Sequence, residues 1–261
     1  MNLWTGIGIL LLLFILVLWI FYRKRPTLPV LMFHKVDPQR QDMLTVSVAQ
    51  LDEQLGWLKK NGYQSVSLRQ VADALNRKSP LPPRPVLLTF DDAYRNNLTH
   101  AVPLLLKHRF KATLFVPTAF VGGRNEWDGG DEPLMTADEL RSLDPAIFEM
   151  ALHTHRHPNF KHTSVDEIRE DVAQNIATFG QLGLSFTPIL AYPYGGRPKD
   201  AAVRQAMFDT LRDLGVVAAF RIGNRLNPLP LRNRYELQRL DIRGTDSLAQ
   251  FIRKVRFGKL L

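Results

Sequence analysis

Two periodicities alternate along most of this chain. Continuous apolar runs of strand length occur at residues 29–33, 85–90, 112–116, 147–152, 188–192 and 216–220, with weaker candidates at 63–66 and 237–242. Between most of them lie helical patterns. In the stretch 47–62, Val48, Leu51, Leu55 and Leu58 fall on one face, Ser47 stands as a cap and Gly62 as a stop. Thr136 and Ser164 are each followed three residues later by a Glu, the spacing of a capping box. Repeated strand–helix alternation predicts an α/β protein with a parallel sheet, open or closed into a barrel. SPLPPRP at 79–85 and GGRNEWDGGDEP at 122–133 read as loops.

The first segment departs from this alternation. Residues 3–22 carry no charge and are about as long as the ~20 residues a helix needs to cross a bilayer. Trp4, Trp19 and Tyr22 stand at its two ends, where interfacial aromatics belong. No Lys or Arg precedes the run, and Arg23, Lys24 and Arg25 follow it, the reverse of a cleaved signal peptide. The expected organisation is a transmembrane anchor at 1–22, a basic juxtamembrane linker at 23–28 and a folded domain at 29–261. The positive-inside rule places that domain in the cytoplasm, at the inner membrane; a periplasmic or extracellular domain is the alternative.

Composition adds two constraints. Of the 261 residues 45% are apolar, enough for one full core, and there is no cysteine, which excludes a disulfide framework and a thiolate metal site. The net charge of +9 suits a nucleic acid or an anionic membrane surface. Beside an anchor it reads as attraction to anionic lipid or phosphate, and no nucleic-acid-binding motif is present.

Chemistry concentrates at three strand ends. Asp91 and Asp92 stop the run at 85–90, and two adjacent buried carboxylates repel unless a cation or a proton compensates. A helix cap would account for one of them. After the run at 147–152 come His153, His155 and His157, two apart, which an extended backbone would point the same way. Imidazoles with a carboxylate form a hydrolytic metal set. Tyr194, Gly195 and Gly196 follow the run at 188–192, where the backbone can turn tightly and approach a ligand.

In this order the three stretches resemble the polysaccharide deacetylase family, the NodB-homology group of carbohydrate esterases. Its Thr-Phe-Asp-Asp motif matches Thr89, Phe90, Asp91 and Asp92; its His-Ser/Thr-x-x-His motif matches His153, Thr154 and His157; its Pro-Tyr-Gly matches Pro193, Tyr194 and Gly195. The opening PVLMFHKV and the form AYPYG are most similar to the branch that deacetylates poly-N-acetylglucosamine.

The resemblance implies a distorted (β/α) barrel of about seven strands. It implies one divalent metal ion, zinc by expectation, held by Asp92, His153 and His157, with Asp91 as general base and the Tyr194 backbone N–H as oxyanion donor. Two features depart from the family pattern. Ala191 stands where many members carry an Arg that orients the base, so that Arg197 or Arg239 would have to replace it. The late Leu-x-His that supplies the general acid is missing, leaving His34, His155 and His162 as candidates. The expected activity is removal of acetyl from an N-acetylated amino sugar of a cell-envelope glycan, on a lipid-linked (polyprenyl-phosphate) N-acetylhexosamine. The alternatives are deacetylation of exported poly-N-acetylglucosamine or peptidoglycan, or a non-catalytic glycan-binding role.

Overall fold

The computed structural model describes residues 7–16 and 26–258. Seven parallel strands form the frame: β1 (Val30–Phe33), β2 (Pro85–Phe90), β3 (Ala112–Val116), β4 (Phe148–Leu152), β5 (Thr187–Ala191), β6 (Ala218–Ile222) and β7 (Leu237–Asp241). Their order is β1-β7-β6-β5-β4-β3-β2, and pairing of β2 with β1 closes the sheet on itself. The expected barrel is therefore observed, and seven of the eight apolar runs each supply one stave within a residue or two of the expected bounds, whereas 63–66 yields only a two-residue strand, Gln64–Ser65, beside Pro85 and Val86.

Alternate residues of each strand serve different layers. Leu31, Phe33, Leu88, Phe90, Leu114, Val116, Leu152 and Leu240 pack outward in one cluster with helix residues such as Leu51, Leu55 and Leu58. Val30, Leu87, Phe115, Ile189, Phe220 and Leu237 fill the interior in a second cluster, closed by Val66, Leu68 and Val71 at the N-terminal ends of the strands. The helices are α1 (Val48–Lys60), α2 (Leu68–Leu75), α3 (Val102–His108), α4 (Ala137–Ser142), α5 (Val165–Gln181), α6 (Ala201–Asp213) and α7 (Leu248–Phe257). Ser47 caps α1, and Thr136–Glu139 and Ser164–Glu167 form the expected capping boxes on α4 and α5.

One expectation about the N-terminus changes, and another falls mostly outside the described residues. The linker was expected to run to residue 28, but Thr27 and Leu28 already pair with Pro228 and Asn227, so the fold starts at Thr27. Of the expected anchor only residues 7–16 are described; they are helical, with exposed apolar side chains. Among the described residues no helix is long and apolar enough to cross a membrane. Residues 1–6 and 17–22 of the expected anchor, and Arg23, Lys24 and Arg25, lie outside the described residues.

Candidate metal centre

All three motifs arrive at the C-terminal mouth of the barrel, and each turns there through a non-glycine residue in the left-handed region. The residues are Asp92 (φ 74°) and Ala93 (φ 57°) after β2, Thr154 (φ 68°) and His157 (φ 58°) after β4, and Tyr194 (φ 57°) after β5. Such conformations carry strain and collect at functional sites. The Thr154 hydroxyl accepts from the His157 N–H at 3.1 Å, closing the turn that folds His157 back toward Asp92. Gly195 has φ 63°, and a Cβ there would stand 2.7 Å from Ile222, so this turn requires glycine.

Asp92, His153 and His157 are all buried, and one donor atom from each lies within 4.8 Å of the others. Asp92 Oδ1 is 3.3 Å from His153 Nε2 and 3.4 Å from His157 Nε2. His153 Nδ1 lies 2.8 Å from the Ala191 carbonyl oxygen. A carbonyl only accepts, so Nδ1 carries the proton and Nε2 turns its lone pair toward a carboxylate. Asp92 Oδ1 and His157 Nδ1 have no hydrogen-bond partner among the described residues. A buried carboxylate oxygen facing two imidazole nitrogens needs positive charge, and a carbonyl-anchored imidazole is the usual support of a metal ligand. Tetrahedral ligands at ~2.0–2.2 Å from one ion stand about 3.3–3.6 Å apart, the separation of Asp92 from each imidazole, and the chemistry of the set suits a divalent metal.

The electrostatics carry the same demand. Burial pushes the Asp92 carboxyl up, but His153 and His157 outweigh it and hold it well below the ordinary range. Burial pulls the His153 imidazole down, yet Asp91 and Asp92 prevail and raise it, the same call for a cation that a metal would meet. At His157 burial prevails over Asp92 and lowers the imidazole.

Asp91 has a different environment from its neighbour. Its Oδ1 accepts from Arg239 Nη1 at 2.6 Å, while Oδ2 lies 3.9 Å from both His34 Nε2 and His153 Nε2. Burial pushes this carboxyl up, but Arg239, His153 and His34 outweigh it and keep it below the ordinary value. The result is a buried, ionised carboxylate with one oxygen fixed and the other turned to the mouth. Arg239 reaches it because β7 alternates: Leu237 and Arg239 face inward, and Arg239 is fully buried with its guanidinium 5.4 Å above the Phe115 ring.

The structure gathers Asp91, Asp92, His34, His153, His157 and the Tyr194 turn at this mouth. The Tyr194 ring lies 4.8 Å from that of His157, and Trp127 flanks the same imidazole at 4.7 Å. His155 and His162 do not join them. The left-handed turns at Thr154 and His157 break the extended backbone that would have aligned the three histidines. His155 Nδ1 instead lies 3.0 Å from the Thr118 hydroxyl, and with His162 it lines a cavity that none of Asp91, Asp92, His153 or His157 touches. Arg197 pairs with Glu236 at 2.6 Å, so of the two arginines that could orient Asp91 only Arg239 does. Trp127 was not anticipated; it sits in a stretch whose glycines and charges read only as loop.

With this geometry in place, likeness to known proteins becomes informative. Residues 78–220 match the polysaccharide deacetylase family. The chain is 25% identical over 177 residues to YxkH of Bacillus subtilis (strain 168), covering 68% of this chain and 60% of that one. It is 38% identical over 82 residues to the poly-beta-1,6-N-acetyl-D-glucosamine N-deacetylase of Escherichia coli (strain K12), covering 31% of this chain and 12% of that one. It thus spans less than two thirds of either relative. In fold it is similar to IcaB from Ammonifex degensii, with a TM-score of 0.74 at 24% identity, covering 88% of this chain and 97% of that one.

Proposed function

The chain belongs to the polysaccharide deacetylase family, and from that premise we propose that it is a divalent-metal-dependent N-deacetylase of an N-acetylated amino sugar in a cell-envelope glycan. The observation that carries this reading is the division of labour between two adjacent aspartates. Asp92 points at two imidazoles, whereas Asp91 is held ionised and apart by Arg239.

Asp92, His153 and His157 would hold the metal, which when bound polarises an amide carbonyl and makes water more acidic. Asp91, fixed through Oδ1, takes the proton of the attacking water at Oδ2. The backbone N–H of Tyr194 donates to the oxyanion. As the C–N bond breaks, the leaving amine needs a proton. His34 supplies it, being the one of the three candidate histidines that the fold brings to Asp91. Its backbone is fixed by Asn97 Nδ2, which donates to the His34 carbonyl at 2.8 Å. Acetate and a free amino sugar result.

The names of the relatives support a β-1,6-linked N-acetylglucosamine polymer as the substrate. The apolar stretch at 3–22, followed by Arg23, Lys24 and Arg25, supports membrane anchoring and, as a second reading, a sugar on a polyprenyl phosphate. The test offers the purified full chain both substrates and measures free amine and acetate. Zinc-loaded protein should release acetate from one of them, chelation should stop it, and Asp91→Asn should keep the metal while losing turnover by about 10²–10⁴-fold. A metal-free protein of full activity, or an Asp91→Asn variant that loses the metal, would sink the assignment.

A further inference from the structure

The end of the barrel opposite the mouth carries an apolar groove of about 620 Å³. Its apolar lining includes Pro26, Leu81, Pro82, Leu229 and Pro230, and Arg77, Lys78 and Arg84 stand on its rim. No carboxylate lines it. Arg77 and Lys78 are exposed and form no ion pair among the described residues. Arg84 donates through Nη1 to the Asn61 carbonyl, one residue past Lys59 and Lys60 at the basic end of α1.

Pro26, whose carbonyl accepts from the Leu229 N–H beside the groove, directly follows Arg23, Lys24 and Arg25 in the sequence. Three residues separate Tyr22, the end of the apolar stretch, from Pro26, so the four steps between them reach at most about 14 Å. We infer that this groove and its basic rim form a docking face for an anionic lipid surface, on which the barrel stands with its catalytic mouth turned away from the bilayer. This rests on the membrane part of the proposed function and goes further by saying which face meets the lipid.

The chemistry suits that occupant. Prolines and leucines enter the interface between headgroups and acyl chains, and lysines and arginines within a Debye length of the surface gain from anionic phosphates. The axis of β2 sets the distance. Pro85 borders the groove and Asp91 follows the other end of the strand, six residues away at ~3.3 Å each, so the site stands about 20 Å further from the lipid. That height favours a glycan extending from the membrane over a sugar held at the headgroups.

Because the chain has no cysteine, single labels can be placed at will. Full-length Ser79→Cys and Arg156→Cys proteins, one label at the groove and one at the mouth, would carry an environment-sensitive fluorophore. They would be reconstituted with phosphatidylglycerol-rich or pure phosphatidylcholine vesicles containing headgroup nitroxide lipid. The expected result is about two-fold quenching at residue 79 in anionic vesicles only, weakened by salt, and none at residue 156. Adding Arg77→Glu and Lys78→Glu should remove the quenching while the protein still floats with the vesicles. Protein that floats without quenching at residue 79, or with equal quenching at both positions, overturns the docking face and leaves the anchor standing. Protein that does not float overturns both. Deacetylation is not measured in this experiment, so the two readings fail separately.

Discussion

Arg239 and Asp91 form a contact at the mouth in which a full positive charge is already in place, and both partners are buried. With Arg239 removed, burial would act on Asp91 with only His34 and His153 to oppose it, and the carboxyl would move up. Less of it would then be ionised at a given pH. Arg239→Gln is accordingly expected to lower kcat by about 10–100-fold and to shift the acid limb of the pH–rate profile to higher pH. A merely structural role would lower the rate equally at every pH, so the profile distinguishes the two. Ala191 in the place of the usual arginine announced that some other cation was needed, but sequence spacing could not choose between Arg197 and Arg239. The choice is made by the inward face of β7 and by Glu236, which takes up Arg197.

Single elements show where local pattern suffices and where it does not. Capping boxes are local, and Ser164 with Glu167 forms as its spacing predicts. The histidine stretch is not local in this sense: period-two spacing aligns side chains only in extended backbone, and two left-handed residues redirect His155. Glu149 on β4 ties elements together, accepting from the Leu68 N–H at the start of α2 and from the Thr113 hydroxyl on β3. Burial raises its carboxyl above the ordinary value despite those donors. The folded state therefore holds a proton that the unfolded chain has released, so stability falls as pH rises from the unfolded pKa through the folded one. Glu149→Gln, which keeps an acceptor for Leu68, should raise Tm by roughly 1–3 °C at neutral pH, with the difference vanishing in acid below both pKa values. Thermal melts across that range check it, and a lower Tm at neutral pH would show that the charge itself is needed.

At the scale of the whole molecule, Phe115 belongs to the apolar interior cluster and lies beneath the charged groups of the mouth. Phe115 is fully buried, its ring 6.1 Å from Phe220 and 6.1 Å from His153, with Arg239 stacked on it. Phe115→Ala should cost about 3–5 kcal/mol, read as a lower urea midpoint with unchanged slope, and should loosen the floor beneath Arg239 and His153. Hydrophobic period and caps determined much of this protein in advance: the strand-length runs, the helical patterns between most of them, and the three strand ends where Asp92, His153, His157 and Tyr194 had to lie. Those signals are written within a few residues of one another, which is why a linear reading captures them. What tertiary structure decided is everything that depends on which strands become neighbours. Closure of β1 on β2 brings His34 to Asp91, and β5 brings the Ala191 carbonyl to His153. β7 carries Arg239 across 148 residues of sequence to the carboxylate it holds. No local pattern encodes such distances, because they are set by the order and register of strands packed around a common core.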